Sequence, residues 1–117
     1  MKPHWFAIGA ALAAASVALG AFGAHALESV LTAERMGTFE TAVRYQMWHA
    51  LGLMVLAVSP RTARVALIAL LAGTVLFSGS LYMLVWTNVP LWGAVAPVGG
   101  VALITGWLVA AWHHLRN

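Results

Sequence analysis

The chain has 117 residues, of which 62% are hydrophobic and only 8% are charged, and it contains no cysteine. Such a composition indicates a membrane protein and excludes an ordinary soluble domain, while the lack of cysteine excludes disulfides and thiolate chemistry. The six Lys and Arg residues behind the formal net charge of +3 are spread along the chain, so they form no basic patch and we expect no nucleic-acid partner.

Four apolar segments are each long enough to cross a bilayer as a helix, since about 20 residues span about 30 Å of hydrocarbon. The first, third and fourth segments contain no charged residue, whereas the second carries Glu40 and Arg44. The sequence therefore predicts an all-α membrane protein, a single helical-bundle domain over residues 1–117. Its four transmembrane helices are predicted at about residues 5–24, 39–58, 65–86 and 91–112.

The first segment has two interpretations. Lys2 and the small-x-small pattern at residues 24–26 also fit a secretory signal peptide. The apolar run is longer than the usual signal core of roughly 7 to 15 residues, which favours a retained transmembrane helix.

Small residues on one face of the first segment predict close helix packing, either within a monomer or between subunits. They are Gly9, Ala13, Ser16, Gly20 and Ala24.

The connection between the first two segments is predicted to hold a short helix lying on the membrane surface. Its apolar side would consist of Leu27, Val30, Leu31 and Met36. In the fourth segment, Pro97 followed by Gly99 and Gly100 predicts either a kink or a flat surface for a neighbouring helix, and we favour the flat surface.

Charges in the loops predict the orientation of the bundle. Four basic residues fall on the side that holds both termini, namely Lys2, Arg61, Arg64 and Arg116. Since cytoplasmic loops carry an excess of Lys and Arg, we predict a multi-pass protein of the bacterial inner (plasma) membrane with both termini cytoplasmic.

Polar residues of the membrane segments concentrate in the half of the bundle opposite the termini. These candidate functional residues are His25, Glu40, Arg44, Tyr45, Gln46, His49, Ser78 and Tyr82. Glu40 and Arg44 are spaced to pair on one face of the second helix, while Tyr45 and His49 lie on roughly the opposite face. A single catalytic cluster of all these residues is therefore disfavoured.

The two histidines of this set have competing interpretations. His25 is predicted to end the first helix, where it can bind the last carbonyls or pair with Glu28 or Glu40; the alternative is a proton or metal site. His49 falls near the bilayer midplane at the depth of Ser78. A hydrogen bond to Ser78 or to a carbonyl of the third segment, which would hold two helices in register, and a functional proton site are both open there.

Metal and cofactor sites are not predicted. His25 and His49 differ in depth by about 15 Å, which is too much for the two axial ligands of one haem. The terminal histidines, His4, His113 and His114, are read as interfacial anchors rather than metal ligands.

Four motifs resemble a known family. They are GAFGAHAL at 20–27, TFETAVRYQMWHAL at 38–51, LFSGSLYML at 76–84 and PVGG at 97–100. Together they resemble domain-of-unknown-function family 423, the YgdD-like small bacterial inner-membrane proteins. The resemblance implies a small multi-helix membrane protein, and it implies no mechanism because the family has no assigned function.

A binding, assembly or structural role in the membrane is the function that the sequence favours. The alternative is a small oligomeric transporter or channel with a polar site around His49. A membrane enzyme or redox protein with Tyr45, His49 and Tyr82 around a quinone-like ligand is a third class that no motif specifically requires. We expect membrane lipid as a partner, and a second copy or another membrane protein as the protein partner.

Overall fold

The computed structural model describes residues 1–116, which form four helices joined by short turns. Helix α1 is Pro3–Leu27, α2 is Ala33–Val58, α3 is Arg64–Thr87 and α4 is Leu91–Arg116. Among the helices of this described part, three are long and apolar enough to cross a membrane: α1, α3 and α4. Helix α2 is just as long, but the polar residues between Glu40 and His49 lower its hydropathy. The all-α class is confirmed.

Helix α1 starts with Pro3, whose missing N–H and fixed φ suit the first turn of a helix. Near its other end, residues Leu19–Gly23 form a π-helical turn, and the α-helix resumes at Ala24–Leu27. The wider turn falls in the GAFG part of the first family motif. Gly23 lies there against the ring of Phe39, because an added Cβ would be 3.2 Å from Phe39 Cζ.

The connection between α1 and α2 differs from the predicted interfacial helix, which is not confirmed. Residues 28–32 form a turn, and α2 begins at Ala33, six residues before the predicted start of the second segment. The physical reason is a cap: the side chain of Thr32 accepts a hydrogen bond from the backbone N–H of Arg35 at 3.2 Å. Of the residues expected on the surface helix, only Met36 therefore lies in α2, whereas Leu27 ends α1 and Val30 and Leu31 lie in the turn.

The helices pack in the order of the chain, with α1 against α2, α2 against α3, and α3 against α4. Helix α2 therefore lies between two apolar helices, as its polar residues on both faces predict. The core is formed by leucines and alanines of α2, α3 and α4, and the bundle measures 50 × 26 × 17 Å. The fully buried leucines are Leu53, Leu67 and Leu70.

Small residues bring these helices together within the monomer. In α1, a Cβ added to Gly9 would lie 2.8 Å from the carbonyl oxygen of Ala50 in α2. In α4, a Cβ added to Gly106 would lie 2.8 Å from a side-chain carbon of Leu70 in α3. A side chain at either position would overlap the neighbouring helix, so glycine permits the close approach from which helices gain dispersion contacts.

The Pro97 segment forms a contact surface rather than a break. Helix α4 continues through Pro97 from Leu91 to Arg116. Gly99 faces the backbone of α3, because an added Cβ would lie 2.8 Å from Phe77 Cα. The interpretation of the glycine pair as a flat surface for a neighbouring helix is therefore confirmed for Gly99.

Hydrogen bonds join different segments at each end of the bundle, and the two ends differ in charge. The N–H of Lys2 donates to the carbonyl of Ala57 at 2.8 Å, and Ser59 Oγ lies 2.9 Å from His114 Nε2. These contacts gather both termini and the α2–α3 turn at one end, here called the basic end because it holds Lys2, Arg61, Arg64 and Arg116. At the opposite, acidic end, which holds Glu28 and Glu34, Arg35 Nε donates to Asn88 Oδ1 at 2.7 Å.

The close approach at Gly99 gives a stability prediction. We expect Gly99→Ala to lower the free energy of unfolding by about 1–3 kcal/mol, because the added methyl group meets backbone atoms that cannot rotate away. Gly100→Ala is the matched control, since its Cβ would come no closer than 4.0 Å to Phe77 Cδ1. Unfolding by SDS in mixed micelles measures both variants, and equal losses of stability would contradict the assignment.

Candidate functional site

A buried glutamine joins three helices in the middle of the candidate site. Gln46 lies on α2 and is 5% exposed. Its Nε2 donates a hydrogen bond to the carbonyl of Leu12 in α1 at 2.9 Å, and its Oε1 accepts one from the hydroxyl of Tyr82 in α3 at 2.7 Å. One side chain therefore connects α1, α2 and α3.

Two serines extend this polar cluster. Ser16 Oγ donates to the same Leu12 carbonyl at 2.9 Å, so that this oxygen accepts two side-chain hydrogen bonds. Ser78 Oγ, on α3, donates to the carbonyl of Ala42 in α2 at 2.8 Å. We call Ser16, Gln46, Ser78 and Tyr82 the Gln46 cluster. Each of its members binds another side chain or a backbone carbonyl.

The predicted register bond between His49 and Ser78 is not formed. Ser78 binds the Ala42 carbonyl of α2, about two helical turns from His49, whereas His49 Nδ1 lies 2.7 Å from the carbonyl oxygen of Tyr45 in its own helix. Because a carbonyl only accepts, the proton of this bond belongs to Nδ1. The histidine is 7% exposed and lies outside the Gln46 cluster.

The ring of His49 belongs to an aromatic group instead. It stacks on Tyr45 with ring centroids 6.0 Å apart and an interplanar angle of 14°, and the centroid of Trp107 in α4 lies 5.8 Å away. Trp107 packs against Gly52, because a Cβ added to this glycine would be 2.6 Å from the indole. These rings border a groove of about 310 Å³, here called the His49 groove. Its lining residues are Tyr45, His49, Phe77, Gly100, Leu103, Ile104 and Trp107.

The predicted ion pair on α2 is present. Arg44 and Glu40 are 3.8 Å apart, and their side chains are 53% and 52% exposed. They border a shallow cavity of about 210 Å³ between α1 and α2, here called the α1–α2 groove. Its other lining residues are Gly20, Ala24, Phe39 and Val43. The pair and His49 line separate grooves, so the structure divides the candidate residues of α2 and α3 into three groups.

His25 lies in the last turn of α1 with its side chain 84% exposed. Its Nδ1 is 4.0 Å from a carboxylate oxygen of Glu28, so the geometry agrees with the helix-end pairing expected from the sequence. Within residues 1–116, no group of three or more His, Asp or Glu side chains is placed to hold a metal ion. The functional roles of the candidate residues remain predictions.

An apolar cavity of about 460 Å³ lies beneath the acidic-end turn. Leu27, Val30 and Leu31, the residues expected on the apolar side of a surface helix, border it together with Tyr82 and Trp86. Their apolar character thus has a role in the turn, although the turn is not helical.

Several contacts of the site lie beyond what residue types alone indicate. The Leu12 carbonyl is a backbone group, so no side-chain pattern identifies it as the acceptor for Gln46. Trp107 is 58 positions from His49 in the chain, and its contact depends on how α4 is placed. Ser16 is the exception, because its place in the small-residue row of α1 indicates a position facing another helix.

Comparison with known proteins agrees with the family resemblance of the four motifs. Residues 19–100 match the family described as "Protein of unknown function (DUF423)". The chain is 45% identical over 97 residues to the UPF0382 inner membrane protein YgdD of Escherichia coli (strain K12), covering 78% of this chain and 73% of the relative. It is 44% identical over 106 residues to a UPF0382 membrane protein of Staphylococcus haemolyticus (strain JCSC1435), covering 87% of each. No solved structure matches the chain.

The Gln46 cluster gives a double-mutant prediction. We expect Gln46→Leu and Tyr82→Phe each to lower the free energy of unfolding, and we expect their effects to be coupled by about 0.6 kcal/mol and at most about 1.7 kcal/mol, the range found for hydrogen bonds between membrane helices. SDS unfolding of the two single variants and the double variant measures the coupling.

The control cycle combines Tyr82→Phe with Thr105→Val, because Thr105 binds only the Val101 carbonyl of its own helix. That cycle should show additive effects. A Gln46–Tyr82 coupling as small as that of the control would show that the bond does not hold the helices together.

Proposed function

The chain belongs to the membrane-protein family described as protein of unknown function (DUF423), as its four motifs indicate, and we propose that within this family it acts as an assembly protein that binds a second copy of itself in the bacterial inner membrane. The half-exposed Glu40–Arg44 pair in the α1–α2 groove is the observation that carries this proposal.

We infer that all four helices cross the membrane. Helix α2 lies between α1 and α3, which are both apolar enough to span, and its 26 residues reach about 39 Å at about 1.5 Å per residue. Its buried Gln46 is bonded within the protein on both sides, which lowers the free-energy cost of placing this amide in hydrocarbon. The four basic residues at the basic end support an orientation with this end, and so both termini, in the cytoplasm.

In that arrangement the Glu40–Arg44 pair is an exception among the polar groups of α2. The predicted span of α2 begins at Phe39, and Arg44 lies five residues, or about 7.5 Å, inside it. A charged pair that keeps about half of its surface uncovered there is expensive in contact with lipid, unless water, lipid headgroups or a protein covers it. The neighbouring Gly20 and Ala24 leave room for another helix to approach.

The charges of this face are self-complementary. In two parallel copies related by a two-fold axis along the membrane normal, Arg44 of one copy and the partner's Glu40 differ in height by one helical turn, about 6 Å. An arginine side chain can bridge that height. Each copy supplies one acid and one base, so the pair of copies is neutral and its charges are shielded from lipid.

The bonding of the Gln46 cluster favours assembly over transport. An ion or solute path needs polar groups that can exchange partners with the cargo. Gln46, Tyr82 and Ser78 are committed to contacts between helices, with donor–acceptor distances of 2.7–2.9 Å. These groups therefore serve packing better than conduction.

The topology can be tested with single cysteines, because the natural chain has none. Ser29→Cys and Arg61→Cys place a thiol on exposed turns at the acidic and basic ends, respectively. In right-side-out vesicles we expect a membrane-impermeant maleimide to label Ser29→Cys at once and Arg61→Cys only after permeabilisation. Labelling of both sites before permeabilisation would contradict a spanning α2, and the reversed pattern would contradict the orientation.

The assembly can be tested by exchanging charges between copies. We expect Glu40→Arg and Arg44→Glu each to abolish most self-association, because all the charges of the interface then have the same sign. Mixing the two variants should restore association, since one copy is then basic and the other acidic. Energy transfer between differently labelled copies in lipid vesicles measures both effects.

The matched control is Glu34→Arg, which reverses an exposed carboxylate outside the α1–α2 groove and should leave self-association unchanged. Loss of association that mixing does not restore would show that the pair is needed for another reason than contact between copies. Unchanged association in both single variants would overturn the assembly proposal.

A further inference from the structure

We propose that the His49 groove binds an uncharged, membrane-soluble ring compound that carries a hydroxyl group, of the phenol or hydroquinone class. The inference rests on the proposed membrane-spanning α2 but not on the assembly proposal, because it concerns a different face of α2 and a different set of residues. Three features of the groove carry it: an unpaired acceptor, an aromatic lining and a position deep in the bundle.

The acceptor is the second nitrogen of His49. In the neutral imidazole, the proton on Nδ1 is used in the bond to the Tyr45 carbonyl, and Nε2 is left with a lone pair. Within residues 1–116, Nε2 has no hydrogen-bond partner. A polar atom held without a partner in hydrocarbon costs free energy, which a ligand that donates a hydrogen bond would recover.

Tyr45 adds a second polar group to the same groove. Its ring stacks on His49, and its hydroxyl has no hydrogen-bond partner in the described part of the chain. A hydroxyl group on a ligand is both donor and acceptor, so it can donate to His49 Nε2 and accept from the Tyr45 hydroxyl. A ketone or ether oxygen only accepts hydrogen bonds, so it could bind the Tyr45 hydroxyl but not His49 Nε2.

The lining selects a flat and apolar ligand body. Phe77 and Trp107 present aromatic rings, Leu103 and Ile104 present aliphatic side chains, and Gly100 leaves space that a side chain would fill. The volume of about 310 Å³ exceeds the roughly 150 Å³ that suffices for benzene in a dry cavity. A substituted single ring therefore fits, and rings favour offset or edge contacts with the aromatic walls.

Depth separates a ring hydroxyl from the hydroxyls of lipid headgroups. His49 is 16 residues from the start of α2 and nine from its end, or about 24 Å and about 13 Å along the helix. Headgroups lie at the edges of the roughly 30 Å hydrocarbon layer. A hydroxyl attached directly to an apolar ring can reach this level, and none of the residues lining the groove carries a formal charge that would favour an ionic ligand.

The test compares two probes that differ in the hydrogen-bond donor, para-butylphenol and para-butylanisole. Isothermal titration into nanodiscs that hold the full chain, with empty nanodiscs subtracted for partitioning, gives each dissociation constant. We expect saturable binding of the phenol, about tenfold tighter than that of the anisole, the difference expected for one hydrogen bond to a buried acceptor. The ¹⁵N resonance of His49 Nε2 in histidine-labelled protein should move with the phenol and stay in place with the anisole.

Variants connect the binding to this groove. His49→Leu should remove the preference for the phenol, whereas His25→Leu, which changes an exposed histidine elsewhere, should keep it. Ile104→Trp should block both probes by filling the groove, and Val101→Trp is its matched control. Ile104 lines the groove, Val101 does not, and the two are 61% and 63% exposed. The tryptophan pair keeps the test decisive if His49→Leu fails to fold.

Two results would overturn the proposal. Equal affinity for phenol and anisole, or an unchanged His49 Nε2 resonance at saturation with the phenol, would show that the unpaired nitrogen does not select a donor. Binding that survives in Ile104→Trp would place the probes outside the His49 groove.

Discussion

The bond between the Gln46 amide and the Leu12 carbonyl joins the two helices whose pairing the rest of the bundle depends on. Gln46 is buried away from solvent, so it must find its hydrogen-bond partners inside the protein. It does so on both sides of α2, towards α1 and towards Tyr82 of α3. The small residues of α1 permit the close approach that the bond requires, and the bond fixes which of the small residues meet α2.

The three groups of polar residues on α2 differ in how far the protein satisfies them. The Gln46 cluster is bonded internally, the Glu40–Arg44 pair is bonded to itself but half uncovered, and His49 keeps one nitrogen without a partner. This gradation separates packing from recognition. Groups with complete bonding hold helices together, and groups with remaining capacity are the places where another molecule gains binding energy. A second copy would bind at the Glu40–Arg44 pair, and a small ring compound would bind at His49.

Hydropathy and charge predict the helices of this chain well, since segments at 65–86 and 91–112 correspond closely to α3 and α4. The Glu40–Arg44 pair follows from helical spacing alone. Other features depend on backbone groups or on contacts between residues that are far apart in the chain. The start of α2 depends on the Thr32 cap, and the partner of His49 is a carbonyl of its own helix. Spacing along a helix cannot tell whether a histidine bonds along its own helix or across to the next one.

The polarity of α2 also bears on how the chain enters the membrane during synthesis. A segment with Arg44 and His49 near its middle is a poor substrate for insertion by itself. Helix α1 is apolar, precedes it in the chain, and offers the Leu12 carbonyl as an acceptor. In the proposed topology, the earlier helix therefore supplies inside the bilayer a hydrogen-bond acceptor for Gln46 of α2. The order of helices along the chain then has a role in biogenesis, because the apolar helix α1 is made first and offers a binding partner to the more polar α2 that follows it.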